Sequence, residues 1–399
     1  MKRILISFIR VIVGFPLNLV YIIACLVPKD RDLWLFSAWN GRRFIDNPKY
    51  IYKYLLKNKP EIRVVWVARD KKLFKSMRAQ KLPVVYAWGF SGVIHQLRAG
   101  VVVFTHSVDW DYTSAIIGYQ VKRIQTWHGM PIKKIGYDDM RDRSAQLKLK
   151  ISKWVTPFKV DRFDLVIAGS EEDKSKYQSA FNVLPEKVRI TGYPRNDEIV
   201  RATAKKNTAS RKRIIYMPTY RGAVGSEFRL LDSLGFDYLK ADGILEEIEG
   251  ELFIKLHPAQ VFAQLDLEKM ARCRNIKPLF NDADIYEQIG FFDILITDYS
   301  GIYFDFLITS KPIIMAPFDL DDYKIADREL YYSYEDICPD PPCFTWDEVF
   351  FRLRQITKYG GIDRAKYKNL QEKFHRHMDD RSSERAAEEI AKLTGLVSN

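Results

Sequence analysis

The sequence has few cysteines, and they form no pattern typical of metal binding. Its four cysteines, Cys25, Cys273, Cys338 and Cys343, make no Cys-x-x-Cys pair and show no zinc-ligand spacing with histidine. We therefore interpret them as reduced thiols of a cytosolic protein, because disulfides persist mainly in oxidising compartments. The sequence also has no cluster of carboxylates that calls for a metal, so we expect neither a structural metal nor a bound cofactor.

No apolar run is long enough for an unambiguous membrane span. The longest, residues 11–27, has 17 residues and is interrupted by a glycine, a proline and an asparagine, whereas a span needs about 20. As a helix, the N-terminus would carry one narrow polar stripe, formed by Arg3, Ser7, Arg10, Gly14 and Asn18. We expect residues 1–29 to be a membrane-associated helix in the plane of the interface, against acidic lipid. A transmembrane anchor, a signal peptide and a helix packed on the protein remain alternatives.

Acidic residues are fewer than basic ones. The chain has 63 Lys and Arg against 51 Asp and Glu, a net charge of +12, which favours an anionic partner such as acidic lipid, nucleic acid or a phosphorylated substrate. No motif interleaves aromatic and basic residues as nucleic-acid modules do, so no nucleic-acid partner is expected. With 399 residues, 47% of them hydrophobic and 29% charged, the chain is globular and too long for one core, which predicts two domains.

Short apolar strands alternate with helical patterns from Leu33 onward, which indicates parallel sheets covered by helices. We therefore expect an α/β fold with two Rossmann-like domains that face a cleft. The predicted organisation is a membrane-association segment at 1–29, a first Rossmann-like domain at 30–200, a linker at 201–213, a second Rossmann-like domain at 214–370 and a C-terminal helix at 371–399.

The stretch 291–311 carries the strongest local signal. A buried apolar strand is followed by the polar loop 297–301 and then by an apolar helix at 302–308. We expect Ser300 or Asp298 to cap that helix, which leaves backbone N–H groups at the carboxyl edge of the sheet. Open α/β folds bind phosphorylated ligands at this edge. An ordinary capped turn without a ligand is the alternative.

Other predicted strands also end in polar clusters bounded by glycine or proline. His128 ends one strand, and Gly129 and Pro131 interrupt regular structure there, which puts the imidazole on a loop. Because the carboxyl ends of parallel strands share an edge, two facing sheets would bring His128 to one site with residues of the second domain. Those residues are Arg221, His257, Asp298 and Ser300.

Six ordered motifs resemble a known family. They are TWHGMP with KKIGYD, ITGYPRND, YMPTYRG, FIKLHP and LITDYSGIYFDF, and further matches are FSAWNGRRFIDNPKYIYKYL, PFDLDDY and MDDRSSERAAEEI. In order and spacing these resemble the CDP-glycerol glycerophosphotransferases of teichoic acid synthesis, from about Leu33 to the C-terminus. One departure is Gly301, because the family usually has a second serine at this position.

The resemblance implies a GT-B-like fold with the acceptor on the first domain and the nucleotide donor on the second. It implies an enzyme that moves glycerol phosphate, or a related polyol phosphate, from a CDP-polyol to a hydroxyl of a prenyl-diphosphate-linked saccharide or growing polymer, releasing CMP. Such an acceptor would place the protein at the cytoplasmic face of the membrane as a peripheral or monotopic protein. The sequence leaves glycerol or ribitol open, and the lack of a large N-terminal extension favours a primase or short-chain role.

Residue roles follow from this reaction. We assign His128 as the general base on the acceptor hydroxyl, because an imidazole is partly neutral at cytosolic pH. His257 and Arg221 are expected to hold the pyrophosphate, together with Ser300 and the amides after it. The substrate-binding residues predicted in full are Arg221, Thr219, Asp298, Ser300, Gly301, Arg195, Asp197 and Lys133.

Several of these roles have alternatives. Asp298 would fix His257 or a polyol hydroxyl, or cap a turn. Arg195 and Asp197 would equally serve domain packing, and Lys133 would lie in a solvated basic turn instead of meeting anionic headgroups. A Mg²⁺ ion carried on the diphosphate also fits.

Two other functions compete with this interpretation. A GT-B glycosyltransferase that uses a nucleotide sugar would share the fold. A non-catalytic, basic membrane protein that binds an anionic polymer would share the charge, and it would show no turnover.

Overall fold

A computed structural model describes residues 16–139, 155–159, 162–205, 210–221, 227–228, 234–257, 260–280, 284–320 and 329–396. Every predicted site residue lies within these ranges. Residues 1–15, which carry most of the predicted membrane-association segment, lie outside them, as do residues 206–209 of the predicted linker.

The chain forms two compact units. Unit 1 comprises Met1–His128, Gly136–Asp197 and Arg381–Asn399, and unit 2 comprises Gly129–Ile135 and Glu198–Asp380. The chain therefore changes unit directly after His128.

Unit 1 contains a sheet of seven strands, all parallel to their neighbours, in the order β3-β2-β1-β4-β5-β6-β7. The strands are β1 Asp30–Phe36, β2 Arg63–Ala68, β3 Val84–Tyr86, β4 Ala99–Phe104, β5 Lys122–Gln125, β6 Leu165–Ala168 and β7 Val188–Ile190. Leu35 of β1 lies opposite Val65 of β2 and Val102 of β4. β4 is buried along its whole length, as expected of an interior strand covered on both faces.

Helices alternate with these strands. They are α1 Asp46–Asn58, α2 Lys71–Ala79, α3 Phe90–Arg98, α4 Val108–Asp111, α5 Glu171–Ala180 and α6 Asn196–Ala204. Side chains of Asp70, Ser107 and Ser170 accept hydrogen bonds from the first turns of α2, α4 and α5, which fixes where these helices begin. The unit boundary falls inside α6. The helix buries Ile199 fully and continues to Ala204, so the first residues of the predicted linker 201–213 are helical.

Unit 2 contains a second parallel sheet, in the order β12-β10-β8-β13-β14, and a two-stranded parallel pair, β9 with β11. The strands are β8 Lys212–Met217, β9 Glu227–Phe228, β10 Gly250–Ile254, β11 Val261–Phe262, β12 Ile276–Pro278, β13 Ile294–Thr297 and β14 Ile313–Met315. The helices are α7 Tyr238–Glu247, α8 Gln264–Ala271, α9 Ile302–Leu307, α10 Tyr334–Ile337, α11 Trp346–Tyr359 and α12 Arg364–Phe374. The predicted α/β class with two parallel sheets is confirmed.

The last helix, α13 Ser382–Thr394, belongs to unit 1 and not to the domain that precedes it in sequence. Its apolar face, formed by Ala386, Ala387, Ile390 and Ala391, joins the core cluster that contains Trp34 and Val103 of the first sheet. The predicted C-terminal segment 371–399 is therefore divided between two helices. Residues up to Phe374 complete α12 in unit 2, and α13 belongs to unit 1.

A helix at residues 16–26 packs one face on unit 1. Asn18 donates its amide to the carbonyl of Val155 at 2.9 Å, and Ala24 is fully buried. Asn18 therefore faces protein, whereas the predicted polar stripe placed it toward headgroups. The opposite face is apolar and exposed, with Leu19 and Ile22 more than half accessible. Within the described residues, no helix is both long enough and apolar enough to cross a membrane.

Candidate active site

His128 lies on the loop after β5, on an unusual turn of the backbone. Trp127 has a φ of 49°, a left-handed conformation that is uncommon for a bulky residue. The side-chain amide of Asn47 donates to the carbonyls of Thr126 and Trp127, at 3.1 Å each. The side-chain oxygen of Gln125 accepts from the N–H of Trp127 at 2.9 Å. These bonds hold the turn that presents His128.

The imidazole of His128 lies in a cluster of aromatic rings. It stacks on the ring of His106, with centroids 4.9 Å apart and planes 19° apart, and it contacts the ring of Trp127 at 4.2 Å. Trp39 lies edge-on to His106 at 5.3 Å. The ring of His106 also stacks on that of Trp110, with centroids 5.6 Å apart and planes 14° apart. His128 is thus held by ring packing while it remains partly exposed.

A buried carboxylate positions His106. Asp111 is fully buried and accepts from the N–H groups of Asn40 at 2.8 Å, Thr105 at 3.1 Å and His106 at 3.3 Å. Burial raises the pKa of Asp111, although the charge of His106 and these N–H groups act in the opposite direction. The carboxylate ties the loop after β1 to the loop after β4. His106, Asp111 and Trp39 were not predicted as site residues.

Arg195 is linked to the aromatic cluster through Asp46, which bonds to both Arg195 and Trp39. Its side chain is buried, and its Nη1 lies 3.0 Å from Oδ1 of Asp46. The other oxygen of Asp46 accepts from Nε1 of Trp39 at 3.1 Å. The main-chain N–H of Arg195 donates to Asn47, the residue that holds the Trp127 turn. These contacts favour the alternative in which Arg195 serves packing within unit 1.

Asp197 holds the start of α13. It is fully buried, and its two oxygens accept from the N–H groups of Ser382 and Ser383 at 2.8 Å each. A carboxylate at a helix N-terminus satisfies orphan donors and complements the helix dipole. Asp197 thus explains why the C-terminal helix returns to unit 1.

In unit 2, Arg221 is clamped between two carboxylates. Its Nε and Nη2 donate to Asp319 at 2.6 and 2.7 Å, and its Nη1 donates to Asp298 at 2.8 Å and to the carbonyl of Thr219 at 2.9 Å. Burial alone would raise the pKa of Asp319, but the Arg221 guanidinium holds it below its ordinary value. Much of the donor capacity of Arg221 is therefore used inside unit 2.

Asp298 joins the loops after β8 and β13. Its Oδ1 accepts from the N–H and hydroxyl of Thr219, at 2.8 and 2.5 Å, and from the N–H of Tyr299 at 2.6 Å. Its Oδ2 accepts from Arg221. The side chain of this buried carboxylate bonds to Thr219, Tyr299 and Arg221, and no bond to His257 is among its contacts in the described residues; contact with a polyol hydroxyl stays a prediction.

The predicted cap of α9 is wrong. The helix begins at Ile302 with Gly301 as the N-cap residue, which makes no side-chain cap hydrogen bond. Asp298 is turned to its partners in the neighbouring loop, and Ser300 uses its carbonyl to accept from Tyr303. A Cβ atom on Gly301 would lie 3.1 Å from the carbonyl oxygen of Met130, so this position has little spare room.

The segment after His128 is bonded into unit 2. Lys133 forms an antiparallel bridge with Leu330, and the N–H of Lys134 donates to the carbonyl of Glu329 at 2.8 Å. The ammonium of Lys134 also pairs with the carboxylate of Glu329 at 2.6 Å. Lys133 therefore lies in a strand-like pairing, not in a free basic turn.

His257 completes the carboxyl edge of the second sheet. It follows β10, is partly exposed, and its ring centroid lies 5.3 Å from that of Tyr220. Because β10, β8 and β13 are adjacent, their following loops share one edge. The structure thus brings together within unit 2 the predicted residues Thr219, Arg221, His257, Asp298 and Ser300. In the ranges described, no group of three or more His, Cys, Asp or Glu residues could hold a metal ion.

Known proteins resemble the chain over almost its whole length. The profile of a family described as CDP-glycerol:poly(glycerophosphate) glycerophosphotransferase matches residues 19–392. A teichoic acid glycerol-phosphate transferase of Staphylococcus aureus is 26% identical over 386 residues, which cover 91% of this chain and 94% of that protein. A teichoic acid poly(glycerol phosphate) polymerase of Bacillus subtilis is 23% identical over 385 residues, 93% of this chain and 50% of that protein.

Among solved structures, the wall teichoic acid polymerase TagF with CDPG superposes with a TM-score of 0.73 at 20% identity, covering 99% of both chains. A Staphylococcus aureus MnaA structure with UDP reaches a TM-score of 0.54 at 14% identity, covering 92% of this chain and 97% of that one. At these identities the likeness is one of fold.

Proposed function

Because the chain belongs to the CDP-glycerol:poly(glycerophosphate) glycerophosphotransferase family and is a transferase, we propose that it moves glycerol phosphate, or a related polyol phosphate, from a CDP-polyol to an acceptor hydroxyl. The acceptor is a prenyl-diphosphate-linked saccharide or a growing teichoic-acid-like polymer. The main support is the family profile, which spans residues 19–392 and so includes both sets of site residues.

In the proposed reaction, the acceptor oxygen attacks the phosphorus that carries the polyol. A new P–O bond forms, the P–O bond to CMP breaks, and CMP leaves with the electron pair. His128 takes the proton of the acceptor hydroxyl. Its place among stacked rings, on a turn fixed by Asn47 and Gln125, supports this role because it limits the orientations of the imidazole.

The donor is proposed to lie at the carboxyl edge of the second sheet. His257 and Ser300, both partly exposed there, contact the diphosphate. Arg221 has a modified role: its bidentate bond to Asp319 and its bond to Asp298 neutralise its charge and fix the loop after β8, so that it positions this loop in place of binding the diphosphate directly. Thr219 and Gly301 shape the same edge. A GT-B-like arrangement, in which both units serve one pair of substrates, is part of this proposal.

The exposed apolar face of helix 16–26 is proposed to contact lipid. Leu19 is 60% exposed, Ile22 57%, Ile23 54% and Leu26 78%, so four large apolar side chains project from one short helix. A soluble surface rarely carries such a patch without a partner. Together with the net charge of +12, this supports peripheral attachment to the acidic cytoplasmic face of the membrane, where a prenyl-linked acceptor resides.

The direct test is CMP release by the purified protein, with a synthetic prenyl-diphosphate disaccharide as acceptor. CDP-glycerol, CDP-ribitol and UDP-sugars are compared side by side as donors, and product length distinguishes a primase from a polymerase. Turnover with a UDP-sugar alone would instead indicate a glycosyltransferase.

The His128→Ala and His257→Ala variants test the residue roles. Each is expected to lower the rate of CMP release on the order of 10² or more, because each removes a group that moves a proton or binds the reacting phosphate. His95→Ala is the matched control, since this histidine lies on α3 and its ring bonds to Ser91 of its own helix. Unchanged CMP release in the two site variants would overturn the assignment.

A further inference from the structure

A half-exposed tryptophan continues the ring stack away from His128. Trp110 is 54% exposed, and its indole stacks on His106, which itself stacks on His128. An exposed indole face is costly to leave in water and is a favourable surface for the C–H groups of a sugar ring. The stack therefore forms one aromatic surface that leads from the proposed base toward solvent.

The indole is presented on a fixed backbone. The Ser107 side chain caps the short helix α4 by accepting from the N–H of Trp110 at 3.2 Å, and the next residue is the buried Asp111. Nη1 of Arg69 donates to the carbonyls of Asp109, at 3.3 Å, and Trp110. Such anchoring reduces the conformational freedom that a ligand would otherwise have to restrict.

Arg69 adds a cation to the same surface. Its guanidinium lies 5.2 Å from the ring centroid of Trp88, which is 51% exposed. In the described parts of the chain its hydrogen bonds go to main-chain carbonyls, and its charge has no carboxylate partner. The side chain of Asp109 is paired instead with Lys159 at 3.4 Å. A fixed guanidinium that retains its charge is suited to a phosphate.

The order of the strands sets the direction of this surface. His128 follows β5, Trp110 follows β4, Arg69 follows β2 and Trp88 follows β3, and the sheet order is β3-β2-β1-β4-β5. The groups thus run along the carboxyl edge of the first sheet, from the proposed base toward the β3 side. Arg221 and Arg195, by contrast, are paired with carboxylates.

We propose that Trp110, Arg69 and Trp88 form an acceptor subsite that binds a sugar ring on Trp110 and the phosphate next to that sugar on Arg69. This rests on the proposed function, because it takes His128 as the point where the acceptor hydroxyl reacts. Two groups of an acceptor could supply this phosphate. One is the diphosphate that links a saccharide to its lipid, and the other is a phosphodiester of the polymer already made.

Steady-state kinetics with two acceptors test the subsite. One is a short-chain prenyl-diphosphate disaccharide, and the other is the same disaccharide as a methyl glycoside without phosphate. Trp110→Ala is expected to raise the acceptor KM about tenfold for both. Arg69→Gln removes an anchor of the Trp110 backbone and also the proposed phosphate contact, so it is expected to raise the KM more for the diphosphate than for the methyl glycoside. The KM for CDP-glycerol and the pH profile of kcat should stay unchanged. Trp110→Phe should restore most of the affinity. The control is Phe351→Ala, which removes an exposed aromatic side chain on α11 of unit 2.

A lower kcat with an unchanged acceptor KM in Trp110→Ala would overturn the subsite, because it would show that Trp110 acts only through the ring stack. An equal effect of Arg69→Gln on both acceptors would overturn the phosphate assignment. A phosphodiester-containing oligomer as third acceptor identifies which phosphate source depends on Arg69. Calorimetric binding of the diphosphate disaccharide to the unmutated protein and to Trp110→Ala needs no turnover, so it separates failure of the subsite from failure of the proposed reaction.

Discussion

Lowering the pH is expected to destabilise unit 2 through one buried histidine. His375 follows α12, is 6% exposed, and its Nε2 bonds to the carbonyl of Phe304 in α9 at 2.7 Å. Burial lowers the pKa of His375 from 6.5 to about 4, since the charged form loses its hydration. The folded state therefore excludes a proton that the unfolded chain accepts.

The direction and size of the change in the free energy of unfolding follow from this difference in pKa. Because the folded pKa is depressed, the stability is fully present above about pH 6.5 and is lost as the pH falls toward 4. Each pH unit in this window is worth about 1.4 kcal/mol, so the total is about 3 kcal/mol. Between pH 7.5 and pH 5 the free energy of unfolding should fall by about 2 kcal/mol from His375 alone. Above pH 5 most carboxylates remain ionised, so they contribute little in this range.

Urea unfolding at pH 7.5 and pH 5, followed by tryptophan fluorescence, measures the effect. Trp346 is a useful probe, because it lies buried in the core of unit 2. His375→Gln is the matched variant, since glutamine keeps an N–H donor for Phe304 and does not titrate. The variant should lose about 2 kcal/mol less than the unmutated protein over this interval. The same pH dependence in both proteins would refute the assignment of the effect to His375.

Three further predictions concern the membrane face, the C-terminal helix and the donor edge. Leu19→Glu should abolish flotation with vesicles of acidic phospholipid, whereas Leu184→Glu, at an equally exposed leucine (60%) elsewhere on unit 1, should leave it intact; equal binding by both variants would contradict a lipid-facing helix. Asp197→Ala should lower the free energy of unfolding by about 2 kcal/mol and leave the KM for CDP-glycerol unchanged, because it removes two buried hydrogen bonds to α13; a selective KM effect would instead indicate substrate contact. Gly301→Ser should retain activity and cost about 1 kcal/mol, since φ is −61° but the Met130 carbonyl, 3.1 Å from the new Cβ, must shift slightly; loss of folding would contradict this.

The fold was largely predictable, because its signals are local. Interior parallel strands need continuous apolar runs of β-branched residues, and such runs predicted β4, β8 and β13 close to their observed bounds. Helix starts with a capping side chain are similarly visible in sequence. The placement of α13 was not predictable in this way, since its link to Asp197 joins residues 185 positions apart.

For the proposed donor site, the residues that share the sheet edge were predicted, but the bonds between them were not. Residue type and strand ends indicated that Arg221, Asp298 and His257 would share an edge, and they do so in unit 2. The sequence could not reveal that Arg221 is held by Asp319, a residue 98 positions away. A bidentate carboxylate partner changes what the arginine can offer a substrate, because the same N–H groups cannot serve both fully.

The surroundings of His128 show why the first sheet's site was only partly predicted. His128 was identified from its glycine and proline neighbours, yet the left-handed Trp127 before it has no local sequence signal. That conformation is disfavoured by itself, and it persists because Asn47, 80 positions away, binds the carbonyl of Trp127. The geometry of the proposed base therefore depends on α1, the first helix of the sheet, being folded. The left-handed backbone of Trp127 persists only with the hydrogen bonds from Asn47, so neither feature can be predicted from the sequence around His128 alone.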